Sequence, residues 1–191
     1  MQKISTLFVR DPDDRRYVLP EVTPGCEWVI AGEGIPTRKY DGTCVMLDGT
    51  GEWWARREVK PRRTPPPGYL AVETDEVTGK TVGWEPIAQS SFAKFHAEAL
   101  ATLAAEAAGT LAPGTYELVG PKVNGNPERK EQHELIAHGG AAQCDIPERS
   151  FTVIRDRVLA FHASDGCEGV VFHHPDGRMA KIKARDFRSG N

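Results

Sequence analysis

Glu168-Gly169-Val170-Val171-Phe172-His173-His174-Pro175-Asp176-Gly177-Arg178-Met179-Ala180-Lys181-Ile182-Lys183 is the stretch that decides the fold. Residues 169–172 are a short apolar run, Pro175-Asp176-Gly177 is turn chemistry, and residues 179–183 alternate apolar with basic side chains. Together they predict an antiparallel hairpin. Lys181 and Lys183 are two apart, so on a strand both project to the same face. Like charges side by side cost energy unless an anion bridges them, and a phosphate would do so. Glu168 stands at the mouth of the apolar run. For it to share a face with the lysines, paired residue numbers must sum to an odd number. That predicts a four-residue turn, His174 to Gly177, or a bulge that restores the same parity.

Further upstream, Lys39-Tyr40-Asp41-Gly42 joins a lysine, an acid and a glycine. A free lysine is almost wholly protonated at pH 7, and making half of it neutral costs about 4.6 kcal/mol. Burial and neighbouring cations push that way, and Lys181 and Lys183 are the cations expected to do it. Asp41 is expected to orient the ammonium group or a metal-bound water, and Gly42 to let backbone approach a ligand. Glu117 lies inside the apolar strand Tyr116-Glu117-Leu118-Val119. Two carboxylates, Glu117 and Glu168, converging on a triphosphate require Mg²⁺ or Mn²⁺ between the like charges. Each element alone has an ordinary reading: a solvated lysine beside a turn, the polar face of a strand, an edge strand guarded by lysines. The ordered set over residues 39–183 matches no simple structural pattern.

The rest of the chain reads as mostly β. Residues 44–47 and 52–57 flank Asp48-Gly49-Thr50-Gly51 and predict a hairpin, and residues 69–74 and 80–84 predict another. Residues 6–9 form a short apolar run ended by the turn cluster Asp11-Pro12-Asp13-Asp14. Residues 61–68 (PRRTPPPG) are an exposed loop. The clearest helix covers residues 91–108, capped by Ser90 or Ser91, with Phe92, Phe95, Ala99, Leu103 and Ala107 at helical spacing and Gly109 after its end. A second helix covers residues 151–162. The sum is an α+β fold of mostly antiparallel strands with helices packed outside, in a single domain of 191 residues.

A net charge of −3 means that any polyanion must be held by a local patch. Arg56, Arg57, Lys60, Arg62 and Arg63 are such a patch, five cations in eight residues. Trp53 and Trp54 just before it are either a stacking surface or core. The four cysteines form no Cys-x-x-Cys, which reads as reduced thiols in a cytoplasmic setting. No secretory leader is read at the start, and no stretch approaches the roughly 20 apolar residues of a membrane span. Nothing in the sequence assigns an oligomeric state.

The residues resemble the covalent nucleotidyltransferase superfamily, which contains polynucleotide ligases and mRNA capping enzymes. Residues 38–45 (RKYDGTCV), residues 116–127 (YELVGPKVNGNP) with His138-Gly139 beyond, and residues 168–183 carry the likeness. It is nearest to small stand-alone ATP-dependent 5′-3′ RNA ligases. The resemblance implies an adenylation domain of the nucleotidyltransferase (ATP-grasp-like ligase) type. It also implies joining of 5′-phosphate and 3′-hydroxyl RNA ends through lysyl-AMP, as in RNA repair. In this likeness Lys39 attacks the α-phosphate of ATP, Lys181 and Lys183 hold that phosphate, and Arg56 or Arg57 contacts phosphate nearby. Glu117 contacts the ribose or the metal, and Glu168 binds the metal. Thr43 and Cys44 stand where many ligases have an arginine, and residues 134–138 offer no aromatic to stack on adenine. Eight residues follow Lys183, so no OB domain is expected, which disfavours a DNA ligase or capping enzyme. The competing readings are another polynucleotide nucleotidyltransferase (DNA-end or capping-like) and a non-catalytic RNA-binding domain on the same scaffold.

Overall fold

The computed structural model describes residues 3–105 and 110–188. In chain order the strands are β1 (Ser5–Thr6), β2 (Phe8–Arg10), β3 (Val18–Val22), β4 (Ile35–Lys39), β5 (Thr43–Leu47) and β6 (Trp53–Val59). They continue as β7 (Leu70–Thr74), β8 (Thr81–Pro86), β9 (Gly114–Val119), β10 (Glu134–Ala137), β11 (Gly169–His173) and β12 (Met179–Lys183). The helices are α1 (Glu27–Ile30), α2 (Ala93–Ala105) and α3 (Phe151–Asp165). Among the described strands only β1 and β12 pair in parallel; every other pairing is antiparallel. The fold is α+β with few helices. The chain divides into two compact units: a terminal unit of Ile4–Tyr40 with the residues from Ala141 onward, and a central unit of Lys3 with Asp41–Gly140.

In the terminal unit the sheet order is β1-β12-β11-β4, with β2 and β3 paired separately. Val170 and Phe172 of β11 and Ala180 and Ile182 of β12 are buried in a core with Leu7, Phe8, Val29, Ile154 and Val158. Alternation therefore turns Lys181 and Lys183 to the opposite face. α3 begins where the Ser150 side chain accepts from Val153 N–H, and stops at Gly166, whose φ of +72° suits glycine.

The last hairpin corrects the parity expectation. His173 pairs with Met179 and Gly169 with Lys183, so the sums are even. The His174 N–H donates to the Arg178 carbonyl at 2.9 Å, which leaves a three-residue loop, residues 175–177. Turn chemistry overrides the parity argument. Gly177 takes the left-handed position at φ +94°, as three-residue hairpin loops require. The Asp176 carboxylate accepts from Arg178 N–H at 2.9 Å.

In the central unit the order is β10-β9-β5-β6-β8-β7. Val45, Tyr116, Leu118, Val123 and Leu135 form a core with Ala99 of α2. Asp48 fixes the β5–β6 turn: its Oδ1 accepts from Thr50 N–H at 2.8 Å and Glu52 N–H at 3.0 Å, and its Oδ2 from Trp54 Nε1 at 2.9 Å. Trp53 lies edge-on to His96 at 4.5 Å and tilted on Tyr116 at 5.5 Å, partly buried against the core. Residues 61–68 carry no regular structure, as expected. α2 begins at Ala93, after Ser90 accepts from Phe92 N–H. Ala107 and Gly109, expected at its end, lie outside the described residues. No described helix is long and apolar enough to cross a membrane.

Candidate active site

In the terminal unit, Gly169 stands opposite Lys39 on one side and Lys183 on the other. These three positions form one row across β4, β11 and β12. Gly169 is required by crowding, because a Cβ there would meet the Ile182 carbonyl oxygen at 2.2 Å and Lys183 Cα at 2.7 Å. Val171 and Lys181 pair one row further along, so all three lysines share a face. Glu168 lies one residue before β11. Its Oε2 accepts from Lys39 Nζ at 2.5 Å and its Oε1 from Lys183 Nζ. Strand parity does not bind Glu168, which lies outside the strand, so its carboxylate spans two lysines despite the even register.

The row is screened from solvent: the side chains of Lys39, Glu168 and Lys183 are 20%, 11% and 17% exposed. Burial pushes the Glu168 carboxyl up. The charges and hydrogen bonds of Lys39 and Lys183 outweigh it and hold the carboxyl below the ordinary glutamate value. This ionised acid is a partner of Lys39. The cations Lys181 and Lys183 were expected to act on Lys39, but a carboxylate lies between Lys39 and Lys183. Glu168 is thus shared by two ammonium groups.

The central unit carries a different cluster. Glu117 on β9 stands opposite Cys44 on β5, and Arg56 shares that face by alternation from the Val45–Ala55 pair. Glu117 Oε1 accepts from Gly42 N–H at 3.0 Å, and its Oε2 lies 2.9 Å from His138 Nε2. His138 Nδ1 lies 2.9 Å from Thr115 Oγ1. A carboxylate only accepts, so Nε2 carries the proton toward Glu117. Asn124 Nδ2 donates to the Gly42 carbonyl at 2.8 Å and to Asp41 Oδ1 at 3.1 Å. Asp41 N–H donates to Glu128 Oε1 at 2.8 Å. Gly42 admits no side chain, since a Cβ would meet the Leu118 carbonyl oxygen at 2.2 Å.

Arg56 and Arg57 alternate to opposite faces of β6. Arg57 reaches the buried Glu85 at 3.2 Å and serves as an ion-pair partner there. Lys60, Arg62 and Arg63 are exposed in the loop.

The metal expectation can be weighed on these contacts. Both oxygens of Glu117 face N–H donors and both oxygens of Glu168 face ammonium groups. Among the described residues no group of three or more His, Cys, Asp or Glu could hold a metal ion. Either carboxylate would give up these contacts to take a divalent cation.

Sequence reasoning left out Glu128 and Thr115 and assigned no role to Asn124 or His138. The run Asn124-Gly125-Asn126 was the available signal, since asparagine and glycine tolerate left-handed backbone. No signal in the sequence pointed to Glu128. No protein-family model matches this chain, and no curated protein matches it either.

Proposed function

We propose that this chain is an ATP-dependent RNA ligase of the covalent nucleotidyltransferase type, with Lys39 as the nucleophile. The observation that carries the reading is the row Lys39–Gly169–Lys183 with Glu168 between its lysines. It puts a screened lysine from Lys-Tyr-Asp-Gly beside a second lysine that shares its carboxylate, a pair able to hold a phosphate.

In this reading the α-phosphate of ATP takes the place of the Glu168 carboxylate beside the lysines. Lys39 Nζ loses one proton to solvent before attack and a second as its lone pair forms the P–N bond, and the P–O bond to pyrophosphate breaks. An oxygen of an RNA 5′-phosphate then attacks the same phosphorus, the P–N bond breaks, and Lys39 takes up two protons from solvent. Finally a 3′-hydroxyl loses its proton to solvent and attacks the activated 5′-phosphate, closing the phosphodiester and releasing AMP. By the sequence resemblance Lys181 and Lys183 hold the α-phosphate and Arg56 or Arg57 contacts phosphate; Arg57 also pairs with Glu85. Mg²⁺ or Mn²⁺ enters with the triphosphate as part of the substrate. The assignments of Glu117 to the ribose, of the fold to the nucleotidyltransferases and of the role to RNA repair rest on the sequence resemblance. A reducing, cytoplasmic setting agrees with four free cysteines.

The test is incubation with Mg²⁺ and ATP radiolabelled at the α-phosphate. Acid-labile label on the protein, absent in Lys39→Ala and transferable to 5′-phosphorylated RNA, is the expected result. Wild-type protein that takes up no label sinks the reading. Transfer to DNA ends but not RNA ends moves it to the DNA-end alternative.

A further inference from the structure

The loop between β9 and β10 is unusually costly to build. Asn124, Asn126 and Arg129 have φ of +49°, +61° and +52°, in the left-handed region. Such conformations carry strain in non-glycine residues and persist where surrounding structure over-determines them. Here the loop is pinned. Val123 is fully buried. Asn126 Nδ2 donates to the Lys130 carbonyl at 2.9 Å, and its Oδ1 accepts from Lys130 N–H at 2.9 Å. Arg129 N–H closes a turn onto the Asn126 carbonyl at 3.0 Å.

This strained loop delivers two side chains to one dipeptide. Asn124 binds the Asp41 carboxylate and the Gly42 carbonyl, and Glu128 binds the Asp41 N–H. Glu117 takes the remaining Gly42 N–H. Asn124 is exposed, so its contacts are not a by-product of core packing. Asp41 and Gly42 follow Lys39 by two and three residues, and the central unit begins at Asp41.

We propose that Asn124 and Glu128 are positioning residues for nucleotidyl transfer: they hold the Asp41–Gly42 backbone next to the nucleophile-bearing residue in the chain. The proposal rests on the ligase reading and adds to it two residues with a defined role. Toward Asp41, residue 128 acts as a hydrogen-bond acceptor, because the group it meets there is a backbone N–H.

The experiment measures two reactions on the full chain: single-turnover lysyl-AMP formation at saturating ATP, and sealing of an RNA strand adenylated beforehand. In Asn124→Ala and Glu128→Leu, lysyl-AMP formation should slow by about tenfold to a hundredfold, as small misplacements of a reacting group do. Sealing of the adenylated strand should stay within about threefold of wild type, because that step needs no lysine nucleophile. Glu128→Gln keeps the acceptor and should restore near-normal adenylation. Unchanged adenylation in Asn124→Ala and Glu128→Leu overturns the proposal. So does an equal fall in both reactions, which marks a merely structural role. Wild-type protein that never labels overturns the ligase reading and this proposal together. Labelling wild type with equally active variants overturns the proposal alone.

Discussion

The two units use the same side chain, glutamate, in opposite ways. In the terminal unit Glu168 is bound by two lysine ammonium groups, so its contribution is charge pairing. In the central unit Glu117 is bound by a backbone N–H and an imidazole, so its contribution is to fix geometry. A carboxylate facing mobile cations can be displaced by another anion, since lysines accept any phosphate in its stead. A carboxylate facing a backbone amide cannot be exchanged so freely, because the amide belongs to a rigid segment. The difference separates two uses of one side chain: charge pairing in the lysine row, and geometry at the Glu117–Gly42 contact.

The largest expected effect breaks the terminal unit's row outright. Lys39→Ala should lower lysyl-AMP formation by about 10⁴-fold or more, as removal of a nucleophile does, and still seal a pre-adenylated strand. Undiminished labelling would move the nucleophile to another residue and end the contrast between the units.

Glu168→Gln and Glu117→Gln sharpen the comparison directly. Removing the Glu168 charge leaves two ammonium groups together in a screened site and should cost about 3 kcal/mol at pH 7 by denaturant unfolding. Glu117→Gln keeps an acceptor for Gly42 and should cost about 1 kcal/mol. Equal costs would erase the distinction. The pH dependence has a definite sign. The Glu168 carboxyl is held below its ordinary 4.5, so its stabilisation is full above that value and is lost as pH falls through the lower folded value. The gap between wild type and Glu168→Gln should therefore narrow in acid.

Gly42→Ala tests the architecture of the central unit. The added methyl collides with the Leu118 carbonyl oxygen at 2.2 Å, and overpacking of this kind costs about 1–3 kcal/mol. A variant as stable as wild type would show that the close approach of Gly42 to β9 is dispensable.

His96 offers a smaller pH effect in the same unit. It is buried with Nε2 unpartnered, and burial lowers its pKa below the ordinary 6.5. The unfolded chain then binds the proton more readily, so stability falls as pH drops below 6.5, by up to about 1.4 kcal/mol per pH unit. His96→Phe should flatten that slope in thermal unfolding between pH 7 and pH 5. An unaltered slope would acquit His96.

The smallest effect concerns the exposed loop. If Arg62 and Arg63 hold RNA, neutralising both should weaken binding and reduce the salt slope by about 0.7 for each phosphate that is no longer neutralised. Lysyl-AMP formation should survive. A salt slope equal to that of wild type leaves the loop a solvated turn.

Much of this was legible in the residues. The hairpins at residues 44–57, 69–84 and 170–183, the helices beginning near residues 91 and 151, and the shared face of Lys181 and Lys183 follow from local chemistry. Alternation, turn residues and caps act over a few positions, so short windows contain the information. β4 and β10 were not legible, because Ile35–Lys39 and Glu134–Ala137 become strands through partners far away in the chain, β11 and β9. The hairpin register departs from the parity argument because the preference of Gly177 for the left-handed loop position outweighs it.

The sequence by itself determined the class of fold and the lysine face of β12, and it singled out residues 39, 117, 168, 181 and 183 as candidates. The tertiary structure alone decided which of them touch. Lys39 meets Glu168, 129 positions away in the chain, and Asp41 meets Glu128, 87 positions away. Contacts of that range are set by strand register, by the crowding that requires Gly42 and Gly169, and by strained loop backbone. None of these is written in any short stretch of residues, because each depends on which distant segment has already taken its place beside them.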